Sequence, residues 1–558
     1  MNILLCNCNM SVICISSSCK HTAHIEHILP FLTEVIEMDN GLYLGIEFGS
    51  TRIKAVLING QSEVVAQGYF EWADKIVNKY WSYDMTDVRR GIQKCYLDLK
   101  RDYRERYNSS IDQIRSIGVS AMMHGYLVFD EEWNQLCEYR TWRNTLTGYA
   151  ASELSSLFSF NIPQRWSVAH LYNAILNKED HVCKIAHLTT LAGYVHYLLT
   201  GENCVGIGEA SGIFPIDSGN LDYDRSMISK FDNKVAEMGI EIRIEDLMPL
   251  VKVAGENAGC LSEAGALLLD PDGDLKSGIP VCPPEGDAGT GMTATNSIKP
   301  NTGNVSGGTS IFSMVVLEKE LGRSYEEIDM VTTPDGKPVA MVHCNTCTSD
   351  INEWINLFGE VAEVLGKEID KGALFELMFR KALSSEAVSG LLSFNCYAGE
   401  PAAGIENGIP MLVRDPETPL SLDRLMKSLL FTSVASLKIG MERLQLDEGI
   451  SISNINAHGG LFKTEKVGQQ ILANALNVPV SVMKTAGEGG PWGMAILAAY
   501  MVNRKENETL VEYLDNRVFA ESSVSTVMPE KEGVEEYSNY IDRFKALRDL
   551  ESEVAKRF

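Results

Sequence analysis

The sequence predicts an α/β protein built of two similar halves, and three observations carry that prediction. Residues 42–58, LYLGIEFGSTRIKAVLI, read as a strand, a Gly-Ser-Thr turn and a second strand. Residues 304–317, NVSGGTSIFSMVVL, read the same way, and superposing the two places Gly308-Thr309-Ser310 on Gly49-Ser50-Thr51. Helix-period stretches follow both, and 558 residues are too many for one core but suit two large domains.

In the first hairpin, Leu42, Leu44, Ile46 and Phe48 alternate with Tyr43, Gly45 and Glu47. One face should therefore be buried, with Glu47 pointing out of the other at the strand end. Gly49 permits a tight reversal, where the N–H groups of Gly49, Ser50 and Thr51 can converge on an anion such as a phosphate. An ordinary β-hairpin fits the same residues. In the second copy Glu47 falls on Ser306 and Lys54 on Ser313, so only the first hairpin carries charge.

Composition narrows the function. An apolar fraction of 45% with 22% charged residues describes a globular chain. A formal net charge of −26 would repel nucleic acid and anionic lipid, whereas a neutral sugar meets no such barrier. No apolar run reaches the roughly 20 residues of a spanning helix, so no membrane partner is expected. The 13 cysteines, odd in number and scattered, suit reduced thiols and hence the cytoplasm. Cys344 and Cys347 form a C-x-x-C without a second pair at zinc spacing; two small buried residues are the plainer reading.

Residues 1–40, with Cys6, Cys8, Cys14 and Cys19, differ in character from the rest of the chain, and Met38 is a candidate start that would leave the preceding residues a tail or translation artefact. After the first hairpin come a third strand over Val64–Tyr69 and a helix over Asp87–Tyr107, with Val88, Ile92, Cys95, Tyr96 and Leu99 inward. A strand through Ile117 and Val119, a loop from Met122 to Gly125 carrying Met123 and His124, and a return strand Tyr126–Phe129 come next. Trp142, Arg143 and Asn144 offer an aromatic face and hydrogen-bonding groups suited to a polyol. Residues 150–250 read as mostly helical, with a loop over GIGEASG (Gly206–Gly212). Asp287 heads a helix of small residues after a short strand, as a helix N-cap or as a chemical group. Turn residues at 296–302 mark the boundary between a first domain, 41–298, and a second, 299–558. Helices are expected over Asp350–Leu383 and Leu420–Leu446. Gly459-Gly460 end a strand, Val467, Ile471, Leu472, Ala475 and Leu476 line one face of a helix, and Gly487, Gly489 and Gly490 precede Pro491 at a helix start.

Taken together, GIEFGSTRIK, MHG with W-R-N, EGDAGTG, GGTS, and GGLFKTE with GEGGPWGMAILAAY resemble, in order, the motifs of the FGGY carbohydrate kinases of the actin-like ATPase superfamily. The match runs from about residue 42 to the C-terminus. That resemblance implies two ribonuclease-H-like α/β domains with ATP and a sugar in the cleft between them. It implies Asp287 as general base, and Glu47 and Asp287 beside Mg²⁺ through water. Phosphates would meet Gly49, Ser50, Thr51, Lys54, Gly308, Thr309 and Ser310, and adenosine would meet Gly459, Gly460 and Gly489. Met123, His124, Trp142, Arg143, Asn144 and Asp287 would contact the sugar. Three positions depart from the family pattern: Glu47 stands for the usual aspartate, Asn144 for the aspartate of W-x-D, and Ala288 for the asparagine of xylulokinase-like members. A ketopentose, xylulose or ribulose, is the expected acceptor, and a homodimer is compatible with the resemblance. The alternatives are a non-enzymatic nucleotide switch or sugar-sensing pseudokinase of the same fold, and an activating ATPase holding an iron–sulfur cluster through Cys344 and Cys347.

Overall fold

The computed structural model describes residues 41–383, 388, 390–483 and 489–557, and the chain from Gly41 onward forms one compact unit. The cysteine-rich segment 1–40, with Met38, and also Gly487 lie outside the described residues.

β1 (Leu42–Phe48) and β2 (Arg52–Ile58) make the expected hairpin, and β3 (Val64–Glu71) extends it. α1 (Met85–Tyr107) begins at Asp84, whose side chain accepts from the Thr86 N–H, and it buries Val88, Ile92, Cys95, Tyr96 and Leu99 as their spacing predicts. β4 (Ile114–Ala121) returns parallel to β1. After a helical region come the short α2 (Ile207–Ala210), then β5 (Glu285–Gly286) leading directly into α3 (Asp287–Ala294). The strands form one sheet in the order β5-β4-β1-β2-β3.

The second half contributes β6 (Thr302–Gly307), β7 (Ile311–Val316), β8 (Ile328–Thr332), β9 (Pro338–Cys344), β10 (Asn454–His458), α4 (Val467–Leu476), β11 (Val480–Met483), α5 (Gly490–Asn503), β12 (Val524–Val527) and α6 (Lys531–Ala555). Its sheet runs β8-β9-β7-β6-β10-β11-β12. β6 lies between antiparallel β7 and parallel β10, as β1 lies between antiparallel β2 and parallel β4. The repeat read from two short stretches is therefore a repeat of sheet topology.

Four expectations change. β1 is buried on both faces, because α1 covers one side of its sheet and α5 the other; Tyr43 and Gly45 are buried with Leu44 and Ile46, and Glu47 is half-buried. The two hairpins also differ by one residue in the turn: Phe48 pairs with Ile53, whereas Gly307 pairs with Ile311. Opposite Glu47 stands Lys54, but opposite Ser306 stands Phe312, so Phe312 rather than Ser313 is the counterpart of Lys54. Leu127–Phe129 pairs with His187–Thr189 instead of returning along β4. Finally, the long helical stretches divide, into Ser349–Val364 and Lys371–Leu383 and into Leu422–Thr432 and Ala435–Glu442.

α5 lies in sequence between β11 and β12 of the second sheet but packs on the first. A Cβ at Gly45 would strike the Pro491 carbonyl and Ala495, and one at Gly493 would strike the Thr290 carbonyl of α3. These contacts are backbone against backbone, with no flexible side chain to yield. Gly493→Ala should destabilise the protein by about 1–3 kcal/mol through overpacking, read as a lowered denaturant midpoint. An unchanged midpoint would mean that α3 and α5 can separate freely.

Candidate functional site

The two glycine turns lie at equivalent corners of the two sheets, and each is tied back through its carbonyls. In the first, the Gly49 carbonyl accepts from Trp72 Nε1 (2.7 Å), the Ser50 carbonyl from the Tyr83 hydroxyl (2.8 Å) and the Thr51 carbonyl from the Trp72 N–H (3.2 Å). Trp72 and Tyr83 stack at 4.2 Å and so brace the turn together. The exposed Ser50 and Thr51 keep their N–H groups and hydroxyls to offer an anion. In the second turn, the Gly308 carbonyl accepts from the N–H (3.1 Å) and hydroxyl (2.7 Å) of Thr348, and the Thr309 carbonyl from the Cys347 N–H (2.8 Å). Thr309 is exposed, and Gly308 and Ser310 are half-buried. Cys347 and Cys344 are buried free thiols, raised in pKa by burial, and no cluster of three metal-ligating side chains exists among the described residues. The C-x-x-C is thus part of the packing behind the turn.

The glycines of the later motifs converge on these turns. Gly459, at φ +101°, approaches Gly307 so closely that any Cβ would meet its carbonyl; Gly459 and Gly460 are exposed beside the second turn. Gly489, at φ +76°, opens α5, and the following Gly490 lets Glu47 and the Thr290 hydroxyl lie against the helix start.

Glu47 and Asp287 form the charged centre. Asp287 is the first residue of α3, with Gly286 in the cap position, so the N-cap reading does not hold. Its Oδ1 instead accepts from the Met123 N–H (3.2 Å), the side chain is exposed, and the surrounding walls raise its pKa by desolvation against the pull of nearby N–H groups. Glu47 is raised to about 8, first by burial and then by the Asp287 charge, with Lys54 opposing. The Lys54 ammonium also lies 5.9 Å from the Tyr69 ring centre. Two repelling carboxylates with the Thr290 hydroxyl nearby are hard oxygen donors, too few for a protein cage. They suit a hydrated Mg²⁺ shared with phosphates.

His124 and Gly125 both have positive φ, +72° and +101°. The His124 ring is buried, stacks on Trp166 at 6.3 Å, and is held neutral by burial and by the Arg165 charge. Gly212 leaves room for its Nδ1. The GIGEASG stretch is not a loop: Gly206 ends a short strand, and α2 begins there, capped by the buried Glu285 carboxylate, which accepts from the N–H groups of Gly208 (3.4 Å) and Glu209 (3.0 Å). Burial raises Glu285 to about 8. Sequence reasoning alone does not single out Glu285, Glu209, Trp72, Tyr83 or Thr290. For Glu209 a signal exists, since glycines at 206, 208 and 212 bracket one acid.

Trp142 is 40% exposed, whereas its two neighbours are engaged. Arg143 pairs with Asp74 and stacks 4.0 Å from the Trp81 ring centre. Asn144 is 2% exposed; its Oδ1 accepts from the Trp81 N–H (2.8 Å) and its Nδ2 donates to the Trp81 carbonyl (2.9 Å) and the Thr141 carbonyl (3.0 Å). The amide clamps the strand that carries Trp81. Asn144→Ala should therefore cost about 1–3 kcal/mol of stability by leaving buried backbone groups unpaired, seen in the unfolding midpoint. A normal midpoint would deny that clamp.

Comparison with known proteins agrees with this geometry. The model of the FGGY family of carbohydrate kinases, N-terminal domain, matches residues 42–290, and that of the C-terminal domain matches residues 303–502. A xylulose kinase of Haemophilus influenzae is 21% identical over 536 residues, covering 90% of this chain and all of that protein. Among solved structures, xylulose kinase from Rhodospirillum rubrum superposes with a TM-score of 0.74 at 17% identity, covering 91% of this chain and 98% of that one. Gluconate kinase from Lactobacillus acidophilus also gives 0.74, at 16% identity, with 93% and 99% covered. Two matched domains, the duplicated sheets and the paired turns together make this chain a member of the FGGY family of carbohydrate kinases, which transfer phosphate from ATP to a sugar.

Proposed function

We propose that the acceptor is a neutral ketopentose, xylulose or ribulose, and that Asp287 is the general base. The observation that carries the reading is Asp287 itself, an exposed residue at the junction of β5 and α3 whose carboxyl is raised in pKa by desolvation. A raised pKa makes it a better proton acceptor near neutral pH, and the Met123 N–H fixes one oxygen so that the other can face a hydroxyl.

In this mechanism the sugar hydroxyl gives its proton to Asp287 as the oxygen attacks the γ-phosphorus of ATP. The bond to the β-phosphate oxygen breaks, and ADP leaves. Phosphoryl transfer asks the protein for position and charge rather than covalent chemistry. The Ser50–Thr51 and Thr309–Ser310 turns, with Lys54, hold the phosphates, while Gly459, Gly460 and Gly489 leave backbone room for adenosine. Glu47, with Asp287, would hold Mg²⁺ through water, and the ion would neutralise phosphate charge. His124 and Trp142 face the sugar; Asn144 and Arg143 shape its wall through Trp81 and Asp74. The domains divide near residues 298 and 299.

A neutral acceptor is favoured by the charges around the site. Arg140, Arg143 and Arg165 are each committed to a carboxylate, to Glu179, Asp74 and Asp329. Around Asp287 stand Glu47, Glu209 and Glu285, whose burial holds their pKa values high, so among the described residues this part of the site offers carboxyl groups to hydroxyls and no free cation to a sugar carboxylate. The full-length xylulose kinase relative supports a ketopentose within the neutral sugars.

Sugar-stimulated ADP release with Mg²⁺ tests the reading across ketopentoses, ketohexoses, deoxy-ketoses, pentitols, glycerol and gluconate. A ketopentose should give the largest kcat/KM. Asp287→Asn should keep ATP affinity within a few-fold and lower turnover by about 10² or more, the scale of a lost general base. Preference for gluconate would overturn the neutral acceptor, and undiminished turnover in the variant would remove Asp287 from that role.

A further inference from the structure

Glu209 is fully buried, yet neither of its side-chain oxygens has a hydrogen-bond partner. Burial holds its pKa well above the usual carboxylate range, and the Thr190 hydroxyl beside it opposes that shift. A buried carboxyl without partners forfeits the bonds it makes in water, and native proteins retain few such groups. This one is not isolated. Its Oε2 packs against Gly286, the residue before Asp287, and Met123 touches the same glycine from another side. Its charge reaches Asp287, Glu285, Tyr139 and Tyr223. The Tyr139 hydroxyl, the Tyr223 hydroxyl and His124 Nδ1 are likewise buried and unpartnered. The Glu209 oxygens and the Tyr139 hydroxyl are thus left without partners within electrostatic reach of Asp287 and of each other.

We infer that Glu209 binds the acceptor sugar, taking hydrogen bonds from hydroxyls away from the attacked one and so selecting polyols that carry a hydroxyl there. The inference rests on the sugar-kinase reading and adds a residue to the acceptor side of the site. A buried carboxyl with the unpartnered hydroxyls of Tyr139 and Tyr223 in electrostatic reach complements hydroxyls of a ligand, each of which donates one bond and accepts others. The backbone is arranged for it. Glu285 caps α2 from below, and Gly206 and Gly208 allow that carboxylate to come close. From the second sheet, Thr332 at the end of β8 grips α2: its hydroxyl donates to the Ile207 carbonyl (2.9 Å) and its N–H donates to the Ser211 hydroxyl (3.2 Å). Glu209 therefore sits on a turn of the first half that a residue of the second half holds in place. Stability offers no reason to keep this acid, since an apolar side chain would fill the site without loss of any hydrogen bond now made by its oxygens.

The test compares the full-length protein with Glu209→Ala and Glu209→Gln, using the best neutral acceptor and its singly deoxygenated analogues. Glu209→Ala should raise the acceptor KM by tenfold or more, leave the KM for ATP within twofold, and keep the thermal midpoint within a few degrees. One analogue should cost the wild type tenfold or more yet cost the variant less than twofold, because the partner of the missing hydroxyl is already gone. If Glu209→Ala does not fold, the isosteric Glu209→Gln carries the same comparison. Equal penalties for every analogue in wild type and variant, with unchanged acceptor KM, would overturn the inference and leave Glu209 a structural acid. A wild-type enzyme that phosphorylates gluconate but no neutral sugar would instead overturn the acceptor reading beneath it.

Discussion

The site depends on how closely α5 approaches α3 and β1. Gly490 brings the helix start against Glu47 and Thr290, Gly493 brings its first turn against the Thr290 carbonyl, and Gly45 lets the same helix lie on β1. A side chain at any of the three would push the helix outward. Because Glu47 is on β1 and Asp287 starts α3, this one contact sets the distance between the two acids. It also explains why a helix that lies in sequence between two strands of the second sheet packs on the first. The charged centre is assembled from three chain segments far apart in sequence, and small residues are what let their backbones meet.

The duplicated hairpins show how one backbone idea divides its labour. Both turns have carbonyls tied into the protein, one by Trp72 and Tyr83, the other by Cys347 and Thr348. Beyond that the two differ. Glu47 faces Lys54 in the first, whereas Ser306 faces Phe312 in the second. Charge that can answer a metal or a phosphate is concentrated in the first lobe, and the second offers backbone and hydroxyls. In a chain with a formal net charge of −26, a nucleotide finds its attraction in N–H groups and a few local cations.

The large features are legible in the sequence because each rests on local chemistry. Glycine turns between apolar strands, the inward face of α1 and the order of the motifs all come from residue type and spacing. Other features need three dimensions. The alternation in β1 suggests one open face, since nothing local reveals that a helix more than 400 residues later covers it. The turn-length difference between hairpins is invisible to an ungapped superposition, which matches Lys54 to Ser313. Asn144 reads as a sugar contact because an exposed amide and a buried one look alike in sequence; only its two bonds to the Trp81 backbone show where it is used.

The acids around Asp287 obey one logic. Burial raises Glu47, Glu285 and Glu209, but each is kept for a different reason. Glu285 has N–H partners and caps a turn, so its place is structural. Glu47 stands beside a second carboxylate, an arrangement that a cation would relieve. Glu209 accepts from no N–H group, and a hydroxyl of the acceptor is the complement proposed for it. The groups that answer these buried acids thus differ although the acids lie close to one another.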